Sequence, residues 1–149
     1  SLIEAIEALG AEVNEYFLYH MKIKGCLTCG CGIGKDNAVE MVNVLVSGDV
    51  AILASPIHMR RPTDSLTSFI EMLYHMCRFD EAIMEKAEGM KVAAVFTTDG
   101  EEDAATDASE MLQRLCDQLN MRYMGALTVS SAVGDAWSVR DLVEKMMKG

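Results

Sequence analysis

Three apolar runs of strand length are separated by segments whose apolar residues recur at helical spacing, and this alternation narrows the fold more than any single motif. The runs are 50–54 (Val-Ala-Ile-Leu-Ala), 92–96 (Val-Ala-Ala-Val-Phe) and 123–129 (Tyr-Met-Gly-Ala-Leu-Thr-Val). A near-continuous apolar run suits a strand buried on both faces. A helix is expected over 36–46, carrying Ala38, Met41, Val42 and Leu45 and closed by Gly48 and Asp49. The next helix takes Asp64 as its N-cap and lines one face with Leu66, Phe69, Ile70, Leu73 and Cys77. A third follows the acidic stretch 101–107 with Ala108, Met111, Leu112, Leu115, Cys116 and Leu119. The last begins at Asp135 and carries Val139, Leu142, Val143, Met146 and Met147. Strands joined through helices pair in parallel, so the expectation is an α/β three-layer sandwich with a parallel sheet covered on both faces.

The N-terminal part fits this scheme less simply. Leu2, Ile3, Ile6 and Leu9 mark a short helix with Gly10 as its C-cap. Residues 13–18 (Val-Asn-Glu-Tyr-Phe-Leu) are β-capable but mixed in polarity, which suits an edge strand. The chain thus opens on a helix, with no strand before it.

Half of the 149 residues are hydrophobic, enough for the core of one domain over 1–149. The formal net charge of −10 and pI near 4.6 argue against a nucleic-acid partner, since such surfaces cluster Lys and Arg. No apolar run approaches the ~18 residues of a membrane span and no cleavable leader opens the chain, so a cytoplasmic protein without a membrane partner is expected.

Three of the five cysteines, Cys26, Cys29 and Cys31, fall within the glycine-rich stretch 25–32 (Gly-Cys-Leu-Thr-Cys-Gly-Cys-Gly). An odd count so tightly spaced fits a secreted disulfide framework poorly. Thiolates are soft ligands, and glycines let several sulfurs converge, so an iron–sulfur cluster, a zinc site, a redox thiol pair and a degenerate remnant all stay open. Cys77 and Cys116 lie on apolar helix faces and read as small buried hydrophobes.

In open α/β sheets ligands bind outside the carboxyl ends of the strands. Two turns occupy that position: Ser55, Pro56, Ile57, His58 and Met59 after the first apolar run, and Thr97, Thr98, Asp99 and Gly100 after the second. Arg60 and Arg61 form an adjacent basic pair, suited either to a cofactor phosphate or to acidic neighbours. Glu101, Glu102, Asp103 and Asp107 oppose an anionic ligand unless they face solvent; a solvated face is the usual reading of such a run, and a docking patch for a basic redox partner is the alternative. The twelve methionines are core filler, with Met72 and Met76 beside Tyr74 also compatible with an oligomer interface. His20 and His75 receive no role.

From Leu2 onward the sequence resembles the flavodoxin-like NAD(P)H-dependent FMN reductases and, more closely, their iron–sulfur flavoprotein branch. The resemblance rests on Ile23-Lys24-Gly25-Cys26 with Cys29, on 48–56 (Gly-Asp-Val-Ala-Ile-Leu-Ala-Ser-Pro), and on 66–71 (Leu-Thr-Ser-Phe-Ile-Glu). It implies a flavodoxin-like fold whose first strand, and the Gly/Ser/Asn-rich loop that holds the FMN phosphate, are missing ahead of Leu2; Ser1 would be a remnant of that loop. In that fold the first strand lies between the second and third, so either upstream residues supply it or the chain rearranges or borrows a strand.

The resemblance further implies that Ser55, Pro56, Ile57, His58 and Met59 run beside the flavin ring and that Thr97, Thr98, Asp99 and Gly100 form the opposite wall. His58 stands where the family often has an aromatic residue; stacking on the flavin and an ordinary exposed loop histidine are both open. Iron–sulfur flavoproteins carry four compact cysteines, whereas Cys26, Cys29 and Cys31 are three, with the last spaced one residue tighter. The implied activity is an NAD(P)H-dependent flavin oxidoreductase or electron-transfer flavoprotein, with FMN, an optional iron–sulfur cluster, a reduced nicotinamide or ferredoxin-type donor, a small acceptor, and a homodimeric or homotetrameric assembly. No catalytic acid or base is expected, because the flavin carries the chemistry. The alternatives are a non-enzymatic cysteine-based metal or redox module with a degenerate flavin site, and a degenerate member acting only through oligomer contacts.

Overall fold

The computed structural model describes residues 1–21, 23, 37–100, 103–130 and 136–148, the side chains of 136–139 excepted. In chain order the elements are α1 (Leu2–Glu7), a 3-10 turn (Leu18–His20), α2 (Ala38–Ser47), β1 (Val50–Pro56), α3 (Asp64–Phe79), α4 (Glu81–Ala87), β2 (Lys91–Thr98), α5 (Thr106–Gln118), β3 (Arg122–Ser130) and α6 (Ala136–Lys148). The strands form one parallel sheet in the order β1-β2-β3. The alternation of apolar strands and helices has produced the expected α/β sandwich.

Helices cover both faces of the sheet. On one, α2, α3, α4 and α5 pack against Leu53 of β1 and Val92, Ala94 and Phe96 of β2. On the other, Ile6 of α1 and Leu142, Val143 and Met146 of α6 meet Ala93 and Met124. Alternate residues of β2 thus serve opposite layers, as the pleat dictates. The alternation breaks once, in β3: Val92 pairs with Tyr123 but Ala94 with Ala126, so β3 uses three residues where β2 uses two. Gly125, at φ +105°, sits inside this bulge, where a Cβ would be strained. The bulge keeps Tyr123 and Ala126 on the larger face while Met124 and Leu127 stay on the smaller one.

β1 lies at one edge of the sheet, and among the described residues no strand pairs with its outer side. Its apolar sequence suits a central strand, yet Ala51 and Ile52 remain half-exposed where Val92, Ala93 and Ala94 of β2 are buried. Residues 13–18 do not add an edge strand: 11–17 carry no regular structure, and the 3-10 turn follows. β-capable residues form a strand only beside a partner ladder, which this segment lacks.

The helix ends differ in detail from expectation. Thr63, not Asp64, caps α3, its hydroxyl accepting from the Leu66 amide at 3.3 Å. Ser1 caps α1 in the same way, its hydroxyl accepting from Glu4 N at 3.3 Å. α4 is an additional helix. Asp80 ends α3 with its backbone amide on Met76 O at 2.9 Å, and its carboxylate caps α4 through Ala82 N at 3.0 Å. Among the described residues no helix is long and apolar enough to cross a membrane.

Candidate functional site

β1 and β2 end side by side, with Ser55 paired to Phe96 and Pro56 to Thr97. One further bond carries the pairing into the loop: Ile57 N donates to Thr97 O at 2.8 Å. The two turns singled out in the sequence are therefore brought together at the carboxyl end of the sheet. Ser55 and Thr98 are the only buried polar residues of the described chain, and both sit at these strand ends. The Ser55 hydroxyl donates to Pro56 O at 2.8 Å and accepts from Thr63 N at 3.0 Å. It thereby ties the end of β1 to the start of α3 and closes the 57–63 loop.

Within that loop, His58 and Arg61 exchange two backbone bonds of 3.0 Å, making a two-residue hairpin. Its central residues, Met59 at φ +51° and Arg60 at φ +63°, are both left-handed, as a type I′ turn requires, although neither is glycine. Met59 is 94% exposed at the tip. Arg60 reaches across to the segment after β2. Its Nε lies 3.2 Å from Asp107 Oδ2, Nη1 lies 3.4 Å from Asp103 Oδ2, and Nη2 donates to Asp103 O at 3.2 Å. The hydrogen bond to Asp107, and then the charge of Asp103, hold the guanidinium pKa above its ordinary value.

On the β2 side, Thr97 is exposed and Thr98 buried, while Asp99 and Gly100 turn outward. The amides of Asp99 and Gly100 donate to no other described residue. Gly100 has φ +113° and no atom within 4 Å of where a Cβ would stand, so the backbone is open to close approach. Free backbone donors, one open glycine and an exposed apolar tip can hold an uncharged polar edge of a flat ligand.

Of the basic pair, Arg60 takes acidic neighbours, while Arg61 makes no ion pair among the described residues. His58 is exposed. Cys26, Cys29 and Cys31 lie outside the described residues, as do Glu101 and Glu102. Among the described residues no group of three or more His, Cys, Asp or Glu side chains is placed to hold a metal. Cys77 and Cys116 are buried, which pushes both thiols up to about 11. Met72 is fully buried in the core; Tyr74 lines a shallow groove of about 260 Å³ between α3 and α5. Thr63 was not among the residues singled out in the sequence; the Arg60 contacts realise one of the two readings of the basic pair, that with acidic neighbours.

No family model matches the chain, and no curated protein does. Solved structures do. RosB with a bound 8-demethyl-8-formylriboflavin-5′-phosphate intermediate superposes with a TM-score of 0.74 at 15% identity, over 99% of this chain and 68% of that one. An NADH:FMN oxidoreductase in its apo form gives 0.67 at 14% identity, over 99% and 75%. Two-electron reduced flavodoxin from Megasphaera elsdenii gives 0.64 at 17% identity, over 99% and 86%. The chain has the flavodoxin-like fold. The two loops described above lie outside the carboxyl ends of the strands, the end at which open α/β sheets in general take ligands.

Proposed function

We propose that the protein is an FMN-dependent oxidoreductase or electron-transfer flavoprotein. The observation that supports this most directly is the meeting of the two strand-end loops through Ile57 N and Thr97 O, beside the open amides of Asp99 and Gly100. The residues present suit the ring of a flavin: backbone donors for its polar edge, Gly100 for close approach, and the exposed side chains of Met59 and His58 for its face. For the phosphate no comparable set of open donors is seen among the described residues; Ser1 caps the first turn of α1 through Glu4 N. When bound, the flavin supplies the redox chemistry, and the protein binds and orients it. That the similar folds include proteins named as a flavodoxin and an NADH:FMN oxidoreductase supports the same reading.

The finer assignment is an NAD(P)H-dependent flavin reductase of the iron–sulfur flavoprotein type, working as a homo-oligomer with a small-molecule or protein electron donor and acceptor. The test is a titration of the anaerobically purified protein with FMN, followed by flavin fluorescence, with iron and zinc assayed on the same sample. Saturable quenching at one FMN per chain is the expected result. A folded protein that binds no FMN overturns the reading, and metal without flavin would favour a cysteine-based module at Cys26, Cys29 and Cys31.

A further inference from the structure

Asp103 and Asp107 follow the β2 wall of the candidate site, and carboxylates there oppose an anionic ligand. Both are answered from the opposite wall by Arg60, whose guanidinium makes contacts of 3.2, 3.4 and 3.2 Å to Asp107 Oδ2, Asp103 Oδ2 and Asp103 O. The same residue sits in left-handed backbone next to Met59, and two consecutive non-glycine residues in that region persist only where their surroundings hold them. The His58–Arg61 bonds fix the base of the hairpin, and the Arg60 side chain anchors its tip.

Resting on the reading of this end of the sheet as a flavin site, we propose that Arg60 is a positioning residue with two roles. It braces the 57–63 loop against the start of α5, and it covers the charge of Asp103 and Asp107 so that an anionic flavin meets a less negative wall. Arg60 is 41% exposed and its partners 75% and 62%, so both roles weaken as salt rises.

The test uses the full chain and four proteins: wild type, Arg60→Ala, Arg60→Lys and the double variant Asp103→Asn/Asp107→Asn. Amide exchange at His58 and Arg61 is read by NMR without flavin, and FMN affinity is read by fluorescence at low and high salt. Arg60→Ala should speed exchange at both amides and weaken FMN binding, each roughly two- to fivefold, the range of an exposed ion pair. The affinity difference should vanish at high salt, and Arg60→Lys should restore most of it. The aspartate double variant should loosen the hairpin as Arg60→Ala does, yet bind FMN more tightly than wild type. That opposite sign is what a purely structural role would not give.

Exchange in Arg60→Ala equal to wild type overturns the brace. An aspartate double variant that binds FMN more weakly overturns the charge cover. If wild type binds no FMN, the flavin reading and the charge cover fall together, while the flavin-free exchange still decides the brace.

Discussion

The two faces of the sheet are covered unequally. Four helices, α2 to α5, build a continuous core on one side, with Phe69, Phe96, Met72, Leu73 and Leu112 almost wholly buried. On the other, among the described residues, α1 and α6 enclose a cluster of six buried residues, of which α1 contributes Ile6 alone. The same strands supply both layers, so the difference lies in the helices laid on them and not in the sheet. The thick face is therefore expected to set the stability of the fold, and the thin face to absorb a substitution more readily.

The largest test of that contrast is one substitution made once on each side. Leu112 of α5 is fully buried, whereas Leu142 of α6 is 9% exposed at the margin of the smaller cluster. Leu→Ala costs about 2–5 kcal/mol depending on how well the site collapses, so Leu112→Ala should fall near the upper end and Leu142→Ala near the lower. Urea unfolding monitored by circular dichroism measures both. Equal losses would mean that the two layers share one cooperative core.

Much of this arrangement was readable from residue order. The runs 50–54 and 92–96 became β1 and β2, and the stripe from Leu66 to Cys77 became the buried face of α3, because apolar period and burial coincide there. α4 was not readable: Asp80 stops one helix and caps the next, and a capping aspartate looks the same in sequence as a loop residue. The segment 13–18 failed as a strand because β-propensity reports fit to a pleated surface, and among the described residues no strand pairs with it. The bulge at Gly125 was equally hidden, since the run 123–129 reads as an unbroken strand. At the site, both strand-end turns were foreseen; the left-handed pair Met59–Arg60 was not, since neither residue carries the glycine signature of such a turn.

Among the described residues both buried thiols lie on the thick face, so a response of stability to alkali is expected there. Burial first, then the charges of Asp80 and Asp117, raises Cys77 and Cys116 from the usual 9.0 to about 11. Through this range the folded protein keeps the thiols protonated while the unfolded chain ionises, so the unfolded state binds fewer protons and stability falls as pH rises from 9 to 11. Tyr123, also raised by burial, acts in the same direction. Urea midpoints at stepped pH should decline across this window, and more shallowly in a Cys77→Ala/Cys116→Ala variant. An unchanged slope would show that the thiols are not what the thick face shields.

The smallest effect is expected where the thick face meets the candidate site. Ser55 is 4% exposed, and its hydroxyl is the partner of the Thr63 amide at 3.0 Å, at the boundary where the loop becomes α3. Ser55→Ala leaves that amide without its acceptor. An orphaned buried donor costs about 1–3 kcal/mol, but Thr63 is only half-buried, so water can replace part of the bond and the loss should be near the lower end. The location of the damage is more informative than its size: amide exchange should rise at Thr63 and through the 57–63 loop while α5 and β3 keep their protection. If the variant instead loses as much stability as Leu142→Ala, with exchange rising throughout the thick face, the loop is part of the core it borders. The site would then be as rigid as the fold that carries it, and a ligand there would meet a wall already in place.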